Sequence, residues 1–471
     1  MARVAADISV IGSGPNGLTA AVVLARQGLS VEVFEAADTI GGGTRTAELT
    51  LPGFRHDVCS TSHPFAVTSP VFSELDLESH GLRWVHAEIP FAQAIAPGRS
   101  AYAHRSLQDT ADGLGVDGAS WIDLVGPVVS DWDEIAPRFL APLVRVPNGE
   151  MIRFGARGIL PATLLAQRFQ KEEAKALFLG GAAHSFQPLT RPLTGGIGLV
   201  MAATAHTHGW PIAATGSQAI ADALAAALRA SDGEITTSTR IEDFDQLPRS
   251  RAILADTTPA AVADLLDEKV PDRFLKAYRR FRYGPAAYKV DYALSDPVPW
   301  ADPDLHRTGF IHLGGTSEEM TRAESHVAAG RSPKRPFILV SQPSADPTRA
   351  PEGSHTLWLY AHVPSGSTTD HLKDIERRLE RFAPGFSETV LARHVMTPTD
   401  LETYNANYID GDIGAGSVDP VQLVLRPRLT RDPYRTPLDR VFICSASTPP
   451  GPGVHGMSGY WAAQSVLRRL Q

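Results

Sequence analysis

The chain has 471 residues, of which 43% are hydrophobic and 20% are charged, and its formal net charge is -8. This length and composition indicate a globular protein of two or three compact units, and the acidic balance gives no support for a nucleic-acid partner. Two cysteines, Cys59 and Cys444, are too few for a disulfide framework, which favours a reducing compartment.

The N-terminal residues, MARVAADISVIGSG, contain one arginine and then run directly into an apolar stretch. They lack the apolar core and the cleavage site of a signal peptide. The chain also contains no run of eighteen apolar residues, so no segment is expected to span a bilayer. We therefore expect a cytoplasmic location, with peripheral membrane contact left open.

The first fifty residues predict a strand, a helix and a second strand. Asp7–Ile11 is a short apolar run of the kind found in buried parallel strands. Gly17–Gln27 is an alanine-rich helix former, and Gly28 ends it. Ser30–Glu35 is a second β-branched run. This order within one short segment is typical of a βαβ unit.

A glycine-rich turn, Gly12-Ser-Gly14-Pro-Asn-Gly17, connects the predicted strand to the predicted helix. In that context the first glycine permits the turn, the second lets the backbone approach a pyrophosphate, and the third allows the helix to pack on the strand. The helix N-terminus adds free N–H groups for the phosphates. Glu35 ends the second strand, where an acid can bind a ribose diol. Together these features predict a dinucleotide site.

A second glycine turn, Gly41-Gly42-Gly43-Thr44-Arg45-Thr46, follows closely after Glu35. It can lead the backbone back past the pyrophosphate and place Arg45 near phosphate or flavin. A nicotinamide-binding Rossmann domain has no need of such a turn, so it favours FAD as the dinucleotide.

The middle of the chain is less regular. The string Gly195–Gly198 (GGIG) follows Pro-Leu-Thr instead of a strand, which predicts close helix packing and not a second dinucleotide turn. Ser217–Ala230 predicts a helix with Ser217 as its N-cap. The segments GEITTSTRIEDF and RAILADT then predict further strands.

Alternating runs between residues 285 and 365 (KVDYAL, GFIHLG, FILVSQ and HTLWLYAHV) predict a mostly antiparallel sheet. His371–Phe382 predicts an exposed helix. The C-terminal segment predicts a strand, RVFIC, a Gly/Pro turn and a last helix, GMSGYWAAQSVLRRL.

Strand–helix units at both ends of the chain indicate an α/β fold. We predict a discontinuous Rossmann-type FAD-binding domain with an inserted α+β substrate domain that contains the antiparallel sheet. The FAD-binding domain is placed at residues 1–75, 191–265 and 420–471, and the substrate-binding, partly helical domain at residues 76–190 and 266–419.

The sequence resembles the phytoene dehydrogenase-like FAD-dependent oxidoreductases, relatives of carotenoid desaturases and, more distantly, of amine oxidases. The segments that carry the resemblance are GSGPNGLTAAVVLARQGLSVEVFEAADTIGGGTRT with LPGFRHDVCSTSHP, LTGGIGLVMAATAHTHGWPIAATGSQAIADAL, NANYIDGDIGAG and ICSASTPPGPGVHGMSGYWAAQSVL. The resemblance implies a glutathione-reductase-like FAD domain together with a substrate domain.

The resemblance also implies the residues that bind FAD. Ile241 would touch adenine through its backbone, and the C-terminal glycine segment would place a helix N-terminus beside the flavin, where the helix dipole stabilises negative charge. The strand VFICSAS lacks the acid that often binds the ribityl chain, which leaves backbone groups or hydroxyls for that contact. The implied FAD-binding residues are Gly12, Gly14, Pro15, Asn16, Gly17, Glu35, Ala36, Gly42, Gly43, Thr44, Arg45, Ile241, Ser445, Gly453, His455, Gly456 and Met457.

The candidates for moving a proton in catalysis are His455, Tyr460, Tyr404 and His206. His455 is placed first because it lies in the glycine-rich C-terminal flavin segment. No metal site is expected, because metal sites more often use tighter, repeated spacings with a fourth ligand than the spacing of His56, Cys59 and His63.

The resemblance implies an FAD-dependent dehydrogenase or desaturase. Such an enzyme moves a hydride from a hydrophobic small molecule to flavin N5 and is reoxidised by oxygen, a quinone or another acceptor. Two alternatives remain open: a flavin-dependent double-bond isomerase without net redox, and a non-enzymatic lipid- or prenyl-binding protein of the GDP-dissociation-inhibitor type. The oligomeric state is open as well.

Overall fold

A computed structural model of the chain describes residues 6–142 and 147–471. Residues 1–5 of the predicted FAD-binding domain and residues 143–146 of the predicted substrate domain lie outside the described residues.

The strands are β1 Ile8–Ile11, β2 Val31–Phe34, β3 Thr46–Ala47, β4 His56–Asp57, β5 Trp84–Val85, β6 Ile89–Ala96, β7 Arg99–Ala103, β8 Ile212–Ala213, β9 Glu234–Thr236, β10 Ala252–Ala255, β11 Ala286–Leu294, β12 Thr308–Leu313, β13 Ile338–Ser341, β14 His355–Val363, β15 Val390–Met396 and β16 Val441–Ile443.

The α-helices are α1 Pro15–Ala25, α2 Pro64–Val67, α3 Pro70–Glu74, α4 Leu107–Gly113, α5 Gly118–Ser130, α6 Trp132–Phe139, α7 Gly149–Gly158, α8 Ala162–Ala166, α9 Glu172–Ala183, α10 Thr194–Thr207, α11 Gln218–Arg229, α12 Pro259–Leu266, α13 Asp272–Arg279, α14 Ser317–Ala328, α15 Leu372–Phe382, α16 Phe386–Thr389, α17 Pro398–Tyr404, α18 Pro420–Leu425 and α19 Met457–Leu470. Short 3-10 helices lie at Gly42–Thr44, Gly115–Asp117, Phe244–Gln246, Asp267–Lys269, Pro303–Arg307, Pro343–Ala345, Pro347–Arg349 and Ile409–Gly411.

A parallel sheet of five strands, in the order β16-β10-β1-β2-β9, carries the predicted βαβ unit. The residues of β1 and β10 are all buried, as expected for strands that are covered on both faces. Helix α1 is buried from Asn16 to Ala25 because it packs between the sheet and the helices α11 and α19. The Rossmann-like α/β fold predicted from the first fifty residues is therefore confirmed.

Strands of this sheet come from all three segments assigned to the FAD-binding domain: β1 and β2, then β9 and β10, then β16. The exact domain boundaries stay a prediction.

The second large sheet has the order β15-β11-β14-β13-β12-β6-β7. Its neighbouring strands are antiparallel except for the parallel pair β12 and β6. The mostly antiparallel sheet is therefore confirmed. Helix α15 covers part of it with Ile375, Leu379 and Phe382, all buried, so the helix predicted as exposed is amphipathic.

The glycines of the GGIG string begin helix α10 and permit close packing against its neighbours. A methyl group on Gly195 would lie 2.6 Å from the carbonyl oxygen of Leu160, and one on Gly196 would lie 3.0 Å from that of Gly158. The prediction of close helix packing is confirmed.

Helix α11 follows Ser217 as predicted, but the serine side chain does not cap it. Its hydroxyl donates to the carbonyl oxygen of Ser60 at 2.7 Å. The N-terminal N–H groups of the helix instead donate to Asp57 and Thr46, from a distant part of the chain. The predicted N-cap hydrogen bond is wrong because a tertiary partner replaces the local one.

Candidate active site

One continuous cavity of about 1180 Å³ opens at the carboxyl ends of β1 and β10. Ligands of open α/β sheets bind at this edge. We use two names for its parts, each defined by residues that line it. The cofactor cleft is lined by Gly12, Ser13, Gly14, Pro15, Asn16, Glu35, Ala36, Gly42, Gly43, Thr44, Arg45, Ile241, Asp256, Ser445, Gly453 and His455. The chamber is lined by His184, Ser185, Phe186, Met201, Trp210, Phe310, Trp358 and Tyr360.

The first glycine turn leads from β1 into α1 at the floor of the cofactor cleft. Gly12 has a φ of 97°, in the left-handed region that favours glycine. Gly14 is the N-cap residue of α1 and has no side chain to occupy the helix N-terminus. The helix end therefore presents its positive dipole to an anion in the cleft, although Pro15 has no N–H and the N–H of Gly17 donates to the carboxylate of Asp256.

Glu35 is buried at the mouth of β2 and accepts four hydrogen bonds. The donors are the backbone N–H of Ser13 at 2.9 Å, its hydroxyl at 2.6 Å, the N–H of Ala37 at 2.9 Å and the guanidinium of Arg45 at 3.3 Å. A carboxylate has about four acceptor positions. A ribose diol would therefore reach Glu35 by exchange with the Ser13 hydroxyl or with Arg45.

Arg45 lies beside Glu35 in the cofactor cleft. Its guanidinium donates to the carbonyl oxygen of Thr39 at 2.7 Å and to Glu35, and it lies 5.5 Å from the centre of the Tyr404 ring. Binding of phosphate or flavin by Arg45 stays a prediction.

The two glycine turns contact each other directly. The N–H of Gly41 donates to the carbonyl oxygen of Ser13 at 3.0 Å, and a methyl group on Gly42 would lie 3.1 Å from the α-carbon of Gly14. On the other side, the α-carbon of Gly43 lies against the hydroxyl of Tyr408, whose side chain is buried. The second turn thus lines the cleft beside the N-terminus of α1.

The C-terminal glycine segment also lines the cofactor cleft, through Gly453 and His455. Gly456 is the N-cap residue of α19, and the N–H of Met457 donates to Nδ1 of His455 at 3.0 Å. The Nε2 atom of His455 therefore carries the proton, and it is buried without a partner. Burial lowers the pKa of His455 to about 4, so the ring is neutral at physiological pH.

These features fit an FAD. Nε2 of His455 and Oδ1 of Asn16 are buried polar atoms without partners among the described residues, and both residues line the cleft. Side chains are absent where the two glycine turns meet, so a ligand in the cleft can approach the backbone of both turns. The groups that would hold the cofactor are the N-terminus of α1, Glu35, the second turn and the N-terminus of α19.

The remaining predicted cofactor residues divide into two groups. Ile241 lines the cleft, although it lies in the irregular segment after β9 and not in a strand as predicted. The second group lies just behind the described lining of the cleft. It consists of Gly17, in the first turn of α1, and of Gly456 and Met457, at the start of α19.

The four candidate catalytic residues do not converge. His455 and Tyr404 line the cavity, whereas Tyr460 packs on Trp461 along α19. His206 donates from Nδ1 to the carbonyl oxygen of His104 at 2.8 Å and accepts from the Trp121 indole at 3.2 Å. His206 and Tyr460 are thus outside the described lining of the cavity, and the structure gives no support for a catalytic role of either.

No group of three His, Cys, Asp or Glu side chains in residues 6–142 and 147–471 is arranged to hold a metal ion. His56 contacts Thr50 at 2.8 Å, and His63 contacts Ser217 at 2.8 Å.

Asp256 is a residue of the cleft that the sequence analysis did not single out. It follows β10, and its carboxylate accepts a hydrogen bond from the N–H of Gly17, in the first turn of α1, at 2.9 Å. Burial and the nearby Glu35 raise the pKa of Asp256 to about 7. An acid at the end of the predicted strand RAILADT is the signal that could have found it.

We expect FAD binding to weaken with rising pH because of Asp256. The ionised carboxylate repels a pyrophosphate at the N-terminus of α1, whereas the protonated acid does not. With a pKa of about 7, the affinity should fall by about tenfold between pH 6 and pH 8. The measurement is titration of the apoprotein with FAD, followed by flavin fluorescence.

The Asp256→Asn variant should bind FAD with nearly constant affinity over this pH range. The matched control is Asp264→Asn, which changes an exposed acid at the rim of the same cavity and should keep the wild-type profile. A pH profile of Asp256→Asn that equals that of the wild type would rule out Asp256 as the cause.

Comparisons with known proteins agree with this geometry. The family model of the NAD(P)-binding Rossmann-like domain matches residues 10–75. The chain is 26% identical to pyridine nucleotide-disulfide oxidoreductase domain-containing protein 2 of Rattus norvegicus, over 99% of this chain and 94% of that protein. It is also 30% identical to one of the subunits of limonene dehydrogenase of Castellaniella defragrans, over 23% of this chain and 19% of that protein.

Solved oxidoreductases share the fold over nearly the whole chain. An oxidoreductase from Methanosarcina mazei has a TM-score of 0.63 at 16% identity and covers 98% of this chain and 99% of its own. Putrescine oxidase bound to putrescine has a TM-score of 0.61 at 15% identity, and cyclohexylamine oxidase from Brevibacterium oxydans has 0.58 at 17%, each covering 99% of both chains. The match to the dinucleotide-binding model and the shared fold support FAD as the cofactor and a general oxidoreductase class.

Proposed function

We propose that the protein is an FAD-dependent dehydrogenase or desaturase of the phytoene dehydrogenase-like type, with a glutathione-reductase-like FAD domain. It removes a hydride from a hydrophobic small molecule. The observation that carries the proposal is the continuity of the cavity: the cofactor cleft and the aromatic chamber share one space. A cofactor in the cleft can therefore reach a substrate in the chamber.

Different residues would bind the cofactor and the substrate. FAD would supply the hydride acceptor. The N-terminus of α1 would bind its phosphates, Glu35 its ribose, and the N-terminus of α19, with neutral His455, would lie beside the flavin. The side chains of Met201, Phe310 and Trp358 would exclude water and favour an apolar substrate.

The eight residues that define the chamber carry no charge while His184 is neutral, which supports an uncharged substrate. The amine oxidases with this fold are similar in architecture only, whereas the local match to limonene dehydrogenase is compatible with a hydrocarbon-like substrate. Reoxidation by oxygen, a quinone or another acceptor is part of the proposal.

Peripheral membrane contact also stays a proposal. Among the described residues, no helix is both long enough and apolar enough to cross a bilayer. The apolar side chains of Ile152, Ile159 and Leu164 are exposed around α7 and α8, and Ile159 also lines the cavity. This surface supports entry of a hydrophobic substrate from the same side.

The test is the visible absorption spectrum of the purified protein, followed by mass spectrometry of the released chromophore. We expect intact FAD, and bleaching of the flavin band when a substrate is added without oxygen. A substrate that is converted only by the pre-reduced protein, without net oxidation, would indicate the isomerase. Failure to bind FAD, even after incubation with it, would favour the non-enzymatic binding protein.

A further inference from the structure

The chamber wall contains polar groups that have no partner among the described residues. The hydroxyl of Ser185 and the indole Nε1 of Trp358 are both buried, and neither makes a hydrogen bond. Buried polar groups in proteins are almost always paired, so an unpaired group that lines a cavity indicates a polar atom of a ligand.

His184 is the neighbour of Ser185 and ends helix α9. Its ring lies among aromatic side chains, 5.2 Å from Trp210 and 5.8 Å from Phe310 between ring centres. Its Nε2 atom lies 2.9 Å from Nε2 of His312. Burial keeps both rings neutral: it lowers the pKa of His184 to about 3 and that of His312 well below its usual value.

The surroundings of His312 decide which nitrogen of His184 is free. In a contact between two neutral imidazoles, one nitrogen donates and the other accepts. Nδ1 of His312 and Oε1 of Gln93 are both unpartnered, and both lie against the α-carbon of Gly180, where a methyl group would be 2.7 Å from Nδ1 and would overlap Oε1.

A proton on Nδ1 of His312 places a donor on the same side of Gly180 as the Gln93 oxygen, whereas the other tautomer leaves two unpaired acceptors there. The first arrangement is therefore favoured. Nε2 of His312 then accepts from Nε2–H of His184. Nδ1 of His184 remains as a bare acceptor on a ring that lines the chamber.

We propose that His184 and Ser185 bind a hydroxyl group of the substrate, which makes that substrate an uncharged, mainly apolar alcohol. Nδ1 of His184 accepts the substrate O–H, and the Ser185 hydroxyl donates to the same oxygen. A pure hydrocarbon leaves both groups unpaired. The inference rests on the proposed function only in treating the chamber as the substrate site.

The test compares two probes with the same carbon skeleton, geraniol and 2,6-dimethylocta-2,6-diene. Binding to the protein as purified is followed by tryptophan fluorescence, because Trp210 and Trp358 line the chamber. We expect the wild type to bind the alcohol at least about tenfold more tightly than the hydrocarbon, since one polar group left unpaired costs about that much.

His184→Phe leaves only Ser185 for the substrate hydroxyl, so it should reduce the preference for the alcohol to about threefold through loss of affinity for the alcohol alone. His184→Gln keeps a hydrogen-bonding side chain and should retain more of the preference. Equal binding of both probes by the wild type, no binding of either, or a full preference in His184→Phe would each overturn the proposal. FAD content is measured on the same samples. A preference for the alcohol in protein that contains no flavin would support this inference while contradicting the proposed function.

Discussion

Replacing Gly17 by alanine should remove most of the bound FAD. Gly17 lies in the first turn of α1, where a β-carbon would overlap the carbonyl oxygen of Gly12 and lie 3.0 Å from the β-carbon of Asp256. The helix must move away from β1 to make room, which withdraws its N-terminal N–H groups from the phosphates. Overpacking of this kind costs about 1–3 kcal/mol, and we expect about a 100-fold loss of FAD affinity.

The measurement is the ratio of flavin to protein absorbance after purification, with the dissociation constant from titration of the apoprotein. Gly113→Ala is the matched control, because a β-carbon there, at the end of α4, meets no atom within 4 Å. The control should bind FAD like the wild type. Wild-type affinity in a folded Gly17→Ala protein would show that the first glycine turn is not the pyrophosphate site.

The part of the site that the sequence predicts well is the part made from neighbouring residues. The first glycine turn and Glu35 lie within one βαβ unit, where the order of strand, turn, helix and acid constrains the geometry strongly. The C-terminal turn is similar: Gly456 ends it and α19 starts at once, as the glycine pattern indicates.

Residues that reach the site through tertiary contacts were harder to identify. Asp256 meets α1 only because β10 lies beside β1, and His184 meets the chamber only because α9 packs beside β6 and β7. Sequence spacing says nothing about such pairs. For the same reason the hydrogen-bonding partners of His206 could not be read from the string HTHGWP: they are Trp121 and His104, far away in the chain.

The same limit applies to the segment HDVCSTSHP. Its two histidines and its cysteine are the residues that suggest a site in the sequence, whereas the structure shows a buried ion pair at its aspartate. The carboxylate of Asp57 contacts the guanidinium of Arg349, and both side chains are buried. Asp57 also accepts hydrogen bonds from the hydroxyls of Thr46 and Thr61 and from the N–H of Ser217, each at 2.8 Å. It therefore joins the second glycine turn to the start of α11.

Removal of Arg349 should strongly destabilise the protein, because it leaves this carboxylate buried without its cation. We expect Arg349→Leu to lower the free energy of unfolding by about 3–5 kcal/mol. The measurement is urea unfolding at pH 7, followed by circular dichroism. Adding Asp57→Asn to Arg349→Leu should restore part of the loss, because the uncompensated charge is then gone.

The pH dependence of this loss has a definite sign. Burial opposes ionisation of Asp57, but Arg349 and the hydrogen-bond donors more than offset it and hold the pKa of Asp57 below its usual value. The ionised pair therefore stabilises the native state above about pH 4, and this contribution disappears as the pH falls further. The difference in the free energy of unfolding between the wild type and Arg349→Leu should accordingly become smaller on acidification. The matched control is Arg307→Leu, which breaks an exposed ion pair with Glu88 and should leave the free energy of unfolding close to that of the wild type. If the two substitutions lower the free energy of unfolding equally at pH 7, the buried pair has no special role.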